Sequence, residues 1–308
     1  MGASDMKKFI LQILVFFAIV AVVDFVAGMT FSYFQSRAGG RTGAEWYACK
    51  ESSEDIIIMG SSRASHHYVP QILTDSLGLS CFNAGQDGNG IILQYGRWKM
   101  ITERFTPKLV IYDVNPAFDL IKNDNMTYVD RLKTFCGDKE VNDYIINLFP
   151  MERLKMLSQM YRYNYKFIEM ISDYFGKRTD KLNGFIPLNG KIREEIVNAD
   201  RPIKKPIIED VVKLHYLEQL VKDCKGNKTE IIFVASPAFR GGSYNLETFS
   251  AISKIAEEYK VPFLYYYESE FSESEKLFKD SNHLNKGGAI IFSADFVNKV
   301  RQKCSTVF

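Results

Sequence analysis

The sequence predicts an α/β protein in which helices cover both faces of a parallel sheet. Five short apolar segments, rich in β-branched or aromatic residues, are predicted strands at 55–59, 80–83, 109–114, 230–235 and 262–267. Amphipathic helical patterns lie between or after them, at 70–77, 206–224, 246–259 and 286–302. Strands that alternate with helices indicate a parallel sheet, because each crossover helix returns the chain across the sheet.

The composition is that of a globular protein and excludes several functional classes. Of the 308 residues, 46% are hydrophobic and 25% are charged, which argues against a disordered chain. The net charge of +2 gives no bulk attraction to nucleic acid, so no nucleic-acid partner is expected. The five cysteines form no CxxC pair, so neither a disulfide scaffold nor a zinc site is expected. We expect no metal and no cofactor.

An apolar segment near the N-terminus predicts a membrane anchor. The run 9–31 follows the lysine pair 7–8, and its length is close to the roughly 20 residues that cross a bilayer. The basic pair places the N-terminus in the cytoplasm, and we expect Asp24 near the outer interface. Residues 1–34 then form the cytoplasmic end and anchor of a single-pass protein of the inner (cytoplasmic) membrane, with an extracytoplasmic folded part. The alternative is a signal peptide cleaved near 26–28, which gives a secreted protein.

The rest of the chain divides into a tether and one domain. Residues 35–54 are rich in Gly, Ser and charge and predict a tether, and the domain occupies 55–308. About 115 residues without a predicted strand separate the third and fourth strands, too many for a structureless loop. They predict a helical insertion over about 121–205, in which 151–175 forms one amphipathic helix.

Polar residues follow the carboxyl ends of the predicted strands, where an open parallel sheet binds its ligands. A serine of the turn 60–62 becomes a strong nucleophile if an imidazole takes its proton, and His283 can do so. Asp280, three residues earlier, can orient that imidazole. The N–H of Gly85 and the side-chain amide of Asn115 can donate to an oxyanion. Each feature alone is common in turns and helix caps, but their conjunction predicts acyl-transfer chemistry.

Further polar residues near this turn are candidates for substrate binding. Arg63 binds a carboxylate of the substrate or pairs with an acid within the fold. His66, with His67 beside it, contacts the substrate or lies in an exposed turn. Asn89, in the loop after the second strand, is a third candidate.

The strand-end residues resemble the conserved blocks of the SGNH/GDSL hydrolase superfamily. The turn 60–62, Gly-Ser-Ser, corresponds to the Gly-Asp-Ser block and thereby puts the nucleophile at Ser62. Gly85 matches the glycine of the second block. Asp280 and His283 match the Asp-x-x-His of the last block.

The resemblance also implies a fold and an oxyanion hole. The fold is flavodoxin-like, a three-layer α/β/α arrangement with a five-stranded parallel sheet in the order 2-1-3-4-5. The N–H groups of Ser62 and Gly85 and the amide of Asn115 are the implied oxyanion donors. Asn115 keeps the asparagine of the third block, whereas Asp113 stands where the family has glycine.

A Gly-Ser-Ser-Arg turn behind a single anchor resembles a membrane-anchored bacterial subgroup related to surface-polymer O-acylation proteins. This implies an extracytoplasmic serine esterase or O-acyltransferase that acts on acyl esters of a cell-surface glycan, with a membrane-bound O-acyltransferase as partner. The alternative is a non-catalytic scaffold with the SGNH fold, or an accessory subunit of an acylation complex. The replacement at Asp113 favours that alternative.

Overall fold

The sheet has five parallel strands in the predicted order. The strands are β1 (Ile56–Gly60), β2 (Cys81–Asn83), β3 (Leu109–Asp113), β4 (Glu230–Ala235) and β5 (Phe263–Tyr265). They lie in the order β2-β1-β3-β4-β5, and every neighbouring pair is parallel. The predicted α/β class and strand order are therefore confirmed. The computed structural model describes residues 2–176, 183–204 and 206–304.

Helices form most of the other regular elements of the described residues. They are α1 (Ala3–Arg37), α2 (Gly40–Trp46), α3 (Ser62–His67), α4 (Pro70–Leu77), α5 (Ile91–Thr102), α6 (Met126–Val129), α7 (Lys139–Leu148), α8 (Glu152–Lys155), α9 (Gln159–Tyr163), α10 (Phe167–Phe175), α11 (Glu194–Val197), α12 (Val211–Gly226), α13 (Ser250–Glu258) and α14 (Lys286–Lys303).

Both faces of the sheet are covered, which explains the composition of the strands. Ile56, Ile57 and Ile58 of β1 are all fully buried. Consecutive apolar residues, instead of alternating ones, are expected where a strand is covered on both faces. Phe292 and Phe296 of α14 pack in one cluster with Ile56 and Ile58. Helices α5 and α12 contact β1 and β4.

The chain divides into two compact units. The sheet unit contains residues 47–128 and 180–308, and the helical unit contains 1–46 and 129–179. The predicted insertion is therefore shared, with its middle part in the helical unit and both of its ends in the sheet unit. Between β3 and β4, the described residues form no strand of the sheet. The tether and domain limits stay predictions, and the segment 35–54 contains α2 and a wider helical turn at Tyr47–Glu51.

The prediction of one continuous helix over 151–175 is wrong, because the segment forms three separate helices, α8, α9 and α10. The N-terminus of α9 has its own cap, since Ser158 Oγ accepts the N–H of Tyr161 at 3.2 Å. The predicted apolar stripe does not pack as one buried face. Leu154, Leu157 and Ile168 are 66%, 74% and 71% exposed.

Candidate active site

Ser62 occupies the turn between β1 and α3. It is the first residue of α3, a position whose N–H has no acceptor within the helix. Its Oγ lies 2.8 Å from Nε2 of His283. Ser62 is half-buried, whereas Ser61 is fully buried. The structure thus distinguishes the two serines of the turn and brings Ser62 to the imidazole.

His283 lies in a short loop that is closed by backbone bonds. The N–H of Lys279 donates to the carbonyl of His283 at 2.8 Å. Phe278 and Leu284 form an antiparallel bridge across the loop. Asn285 then caps α14, because its Oδ1 accepts a first-turn N–H at 2.9 Å. The loop is therefore held at both ends, which limits the positions open to the imidazole.

The carboxylate of Asp280 faces the other nitrogen of the same imidazole. Both of its oxygens lie 3.0 Å from Nδ1 of His283. Oδ1 also accepts the N–H groups of Asn282 at 2.8 Å and His283 at 2.9 Å. Burial acts to raise the pKa of Asp280, but the hydrogen bonds and the charge of His283 outweigh it and lower the pKa. The ionised carboxylate is thereby favoured at neutral pH.

The three side chains form one chain of hydrogen bonds, which we call the relay cluster. With the Nδ1–H of His283 donated to Asp280, its Nε2 carries a lone pair towards the Ser62 hydroxyl. This tautomer is the one that a general base requires. The Ser62–His283 distance of 2.8 Å lies within the reach of about 2.6–3.2 Å for proton transfer.

The predicted oxyanion donors Gly85 and Asn115 both have acceptors within the protein. The N–H of Gly85 donates to Oδ1 of Asn83 at 3.0 Å. Nδ2 of Asn115 donates to Oγ of Ser61 at 2.8 Å. A Cβ on Gly85 would lie 2.5 Å from the backbone nitrogen of Ser65, so the glycine permits close packing against α3. Gly85 must exchange its acceptor to bind an oxyanion, whereas the Asn115 amide has a second hydrogen to offer.

Arg63 and Asp113 belong to the interior of the sheet unit. Arg63 is 2% exposed, and its Nη2 donates to the carbonyl of Val114 at 2.6 Å. Its Nε lies 3.6 Å from Oδ1 of Asp113, whose Oδ2 accepts the hydroxyl of Tyr68 at 2.6 Å. Burial raises the pKa of Asp113, and the Arg63 guanidinium offsets only part of that effect. Of the two roles expected for Arg63, these contacts agree with pairing to an acid within the fold and not with substrate binding, and they direct the Asp113 carboxylate inwards.

His66 and His67 are both buried in α3, so the exposed turn predicted for them is wrong. His66 places its Nδ1 2.7 Å from the carbonyl of Ile186 and its Nε2 3.2 Å from Oδ1 of Asp87. Its ring centre lies 5.4 Å from that of His283. His66 therefore connects two loops beside the relay cluster.

His67 supports the loop that carries His283, a role that the sequence did not indicate. Its Nε2 accepts the N–H of Leu284 at 3.1 Å, so its proton lies on Nδ1, 3.0 Å from Oγ of Ser236. Burial first, and then the nearby charges of His283 and Arg63, hold the pKa of His67 well below its ordinary value. The only signals in the sequence were the position of Ser236 at the end of the fourth strand and the doubled histidine.

Two further residues organise the loops after β2 and β3. Asn89 is buried, and its Nδ2 donates to the carbonyl of Asp87 at 2.9 Å, so its amide supports its own loop. Asp119 was also missed by the sequence. It accepts the N–H groups of Asn115 and Ile91, each at 2.7 Å. Burial raises the pKa of Asp119 to about 6.

Candidate metal ligands do not cluster in the described ranges. No group of three or more His, Cys, Asp or Glu side chains in these ranges has the arrangement of a metal site. The histidines near Ser62 contact protein groups instead. His66 contacts Ile186, His67 contacts Ser236, and His283 contacts Asp280.

No family model and no curated protein matches the chain. Several solved structures are similar to it. The psychrotrophic esterase EstA from Pseudoalteromonas sp. is 11% identical over 82% of this chain and 99% of that one, with a TM-score of 0.44. A GDSL-like lipase from Bacteroides thetaiotaomicron is 12% identical over 89% and 99%, with a TM-score of 0.41. A two-domain esterase active on acetylated mannans is 12% identical over 80% and 48%, with a TM-score of 0.42.

Proposed function

We propose that the chain is a serine esterase or O-acyltransferase that acts on acyl esters. One observation carries the proposal, namely the hydrogen bonds that connect Ser62 to His283 at 2.8 Å and His283 to Asp280 at 3.0 Å. A hydroxyl, an imidazole and a carboxylate in this sequence suit nucleophilic attack on an ester carbonyl.

In the first half-reaction, Oγ of Ser62 attacks the carbonyl carbon of the ester. Nε2 of His283 takes the hydroxyl proton as the new C–O bond forms, and Asp280 stabilises the resulting imidazolium. The tetrahedral intermediate then collapses, the ester C–O bond breaks, and His283 returns the proton to the leaving alcohol. The acyl group stays on Ser62 as an ester.

In the second half-reaction, a hydroxyl group releases the acyl group from Ser62. His283 takes a proton from water or from an acceptor alcohol, which attacks the acyl carbonyl carbon. Ser62 leaves and recovers its proton from His283. Water gives a carboxylic acid and hence an esterase, whereas a sugar hydroxyl gives a new ester and hence a transferase.

The negative charge of each tetrahedral intermediate requires donors near Ser62. We assign the N–H of Ser62 and the second amide hydrogen of Asn115, because neither has to break a hydrogen bond described above. The N–H of Gly85 joins them if it leaves Asn83. Each well-placed donor contributes about 3 kcal/mol to transition-state stabilisation.

In this proposal the enzyme acts on the outer side of a membrane. Among the described residues, α1 is long and apolar enough to cross a bilayer, and none of its apolar window is buried by the protein. Helix α1 contacts α9 and α10 of the helical unit, which supports a retained anchor over a cleaved signal. An acyl ester of a cell-surface glycan is then the substrate, and a membrane-bound O-acyltransferase is the partner that the subgroup resemblance implies.

A fluorophosphonate probe tests the nucleophile in the full-length protein in detergent. We expect wild-type protein to be labelled, Ser62→Ala to lose the label, and Ser61→Ala to keep it. Ser61 is the matched control, since it is the adjacent hydroxyl but is fully buried. Circular dichroism confirms that each variant is folded.

Two outcomes would reject the enzyme in favour of other assignments. Absence of labelling in folded wild-type protein would favour the non-catalytic scaffold. Equal labelling of wild type and Ser62→Ala would place the nucleophile elsewhere. With labelling established, acetylated glycan supplied with and without a polyol acceptor distinguishes hydrolysis from transfer by whether acetate or an acetylated polyol forms.

A further inference from the structure

The helical unit exposes several large apolar side chains outside α1. They lie in and next to the short helices α8, α9 and α10, and we call them the exposed apolar set. Its members are Met151, Leu154, Leu157, Met160, Ile168 and Phe175, which are between 49% and 75% exposed. Exposed large apolar side chains that are grouped in one segment, instead of scattered singly, indicate a site of interaction with protein or membrane.

The depth of this set relative to α1 is determined by Asp24. Its carboxylate accepts the hydroxyl of Ser158 at 2.6 Å and the N–H groups of Gln159 at 2.7 Å and Met160 at 2.9 Å. The start of α9 is therefore at the same height along α1 as Asp24. Leu157 immediately precedes Ser158, so its backbone lies at nearly the same height.

That height is inside the bilayer if α1 is the membrane anchor. A hydrocarbon core of about 30 Å takes up about 20 helical residues at 1.5 Å each. Counted from Phe9, the first residue of the apolar run, the core ends near Gly28. Asp24 then lies about 6 Å inside its far boundary. A carboxylate at this depth requires partners, and the start of α9 supplies them.

Close packing holds α9 against α1. A side chain on Gly28 would overlap with Gln159, so α1 and α9 approach each other closely at this glycine. Above it, the ring of Phe31 lies 5.5 Å from that of Tyr163. The contacts thus continue along α1 beyond Asp24, and α9 cannot move away from the bilayer without breaking them.

The charge of the helical segment does not favour an anionic or a cationic partner. Seven acidic and seven basic residues lie between 129 and 176. Attraction must therefore come from the apolar side chains. Apolar groups next to a spanning helix partition into the interfacial region of a bilayer.

We infer that residues 151–160 insert into the leaflet at the C-terminal end of α1, so that this segment is a second membrane contact beside the anchor. The occupant of the exposed apolar set is lipid. This inference goes beyond the proposed catalytic function and depends on α1 as a retained anchor. Of the three positions of this unit tested below, Leu157 is then the deepest. Ile168 is shallower, because its neighbour Phe167 contacts Phe31, which lies higher along α1 than Asp24.

Nitroxide labels measure this depth in the full chain reconstituted in phosphatidylcholine bilayers. Single cysteines are introduced as Leu157→Cys, Ile168→Cys and Glu140→Cys. All five native cysteines are buried, so the labels attach to the new sites. Glu140 is the matched control because it is an exposed polar position of the same unit. Val15→Cys, in the middle of α1, reports a site inside the hydrocarbon core.

The ratio of collisions with oxygen, which dissolves in lipid, to collisions with a nickel chelate, which stays in water, gives the depth. We expect this ratio to be several-fold higher at 157 than at 140, with 168 between them and 15 highest. A ratio at 157 equal to that at 140, with 15 in lipid, overturns the inference and indicates a surface for another protein. Water exposure of the labels at both 15 and 157 would overturn the inference and would also show that α1 is not a membrane anchor.

Discussion

Two polar clusters at the same edge of the sheet differ in solvent exposure and in the role that we propose for each. In the relay cluster the side chains of His283 and Asp280 are 23% and 41% exposed, and every bond joins a proton donor to a base. The second cluster, which we call the buried cluster, is closed off from solvent. Its members are Arg63, His67, Tyr68, Asp113 and Ser236. Solvent exposure thus separates the cluster that we propose to react from the one that we propose to support it.

Helix α3 contributes to both clusters through its periodicity. Ser62 and His66 are four residues apart and lie next to His283. Arg63 and His67 are also four residues apart, and both join the buried cluster. Residues i and i+4 share a face of a helix. One short helix therefore directs one face to the relay cluster and another to the buried cluster, so we expect substitutions on the two faces to have different consequences.

The largest expected effect is on the relay cluster. Asp280→Asn keeps an oxygen for the turn but loses the charge that stabilises the imidazolium, so we expect kcat to fall by about 10³–10⁴-fold. The thermal unfolding midpoint changes little, because Asn can still accept the N–H groups of Asn282 and His283. Steady-state hydrolysis of an activated ester measures kcat. A loss of less than tenfold would contradict the role of Asp280.

The next largest effect is on stability, in the buried cluster. Asp113→Ala removes both the acceptor of the buried Tyr68 hydroxyl and the side chain beside the Arg63 guanidinium, and we expect the free energy of unfolding to fall by about 3 kcal/mol. Urea unfolding measures it. The exposed Asp143→Ala is the control, with an unchanged midpoint expected. If Asp113→Ala instead abolished fluorophosphonate labelling without loss of stability, Asp113 would belong to the reactive site.

His67 connects the clusters, and an intermediate effect is expected there. His67→Ala removes the acceptor of the Leu284 N–H, and we expect kcat to fall by about 10–100-fold with KM unchanged, equivalent to about 1.4–2.7 kcal/mol.

A conservative substitution of His67 tests whether this residue positions the loop that carries His283 or only maintains the structure. His67→Gln restores an acceptor and should recover part of kcat, whereas His215→Ala, on the exposed face of α12, should change nothing. Equal activities of His67→Ala and His67→Gln would show that the Leu284 bond is unimportant.

The smallest expected effect is on the pH dependence of stability, whose sign differs between the two clusters. The lowered pKa of Asp280 gives stability that is present above its ordinary value near 3.8 and is lost as the pH falls. The raised pKa of Asp113 gives stability that is present below that value and is lost as the pH rises. Urea titrations compare the free energy of unfolding of the wild type with that of each variant from about pH 3 to 7. As the pH rises, the difference in favour of the wild type should grow relative to Asp280→Asn and shrink relative to Asp113→Asn. Parallel trends would contradict this assignment.

The sequence predicted what depends on local pattern. Short apolar runs bounded by turn residues gave the strands, and residues directly after them gave the candidate nucleophile, base and carboxylate. The predicted continuity of 151–175 was wrong because Ser158 and Asp24 interrupt it through a contact 134 residues apart. Periodicity within a segment carries no information about such a partner.

The residues that support the site could not be predicted from the sequence, for a related reason. Burial of Arg63 and His67 follows from the packing of α3 between β1 and α14, which no single segment shows. The bond between Gly85 and Asn83 is local, but its direction depends on the loop conformation. The distribution of charge and hydrogen bonds around the nucleophile therefore required coordinates.

The contacts of Asp24 and Phe34 have a practical consequence for recombinant production. Trimming the chain to begin near Ser36, the usual route to a water-soluble fragment, removes the carboxylate that holds α9 and the ring that stacks on Tyr174 at 4.4 Å. Such a fragment would lose contacts that hold α9 and α10 together with its anchor, and would be prone to aggregate. Extraction of the intact polypeptide in mild detergent preserves both.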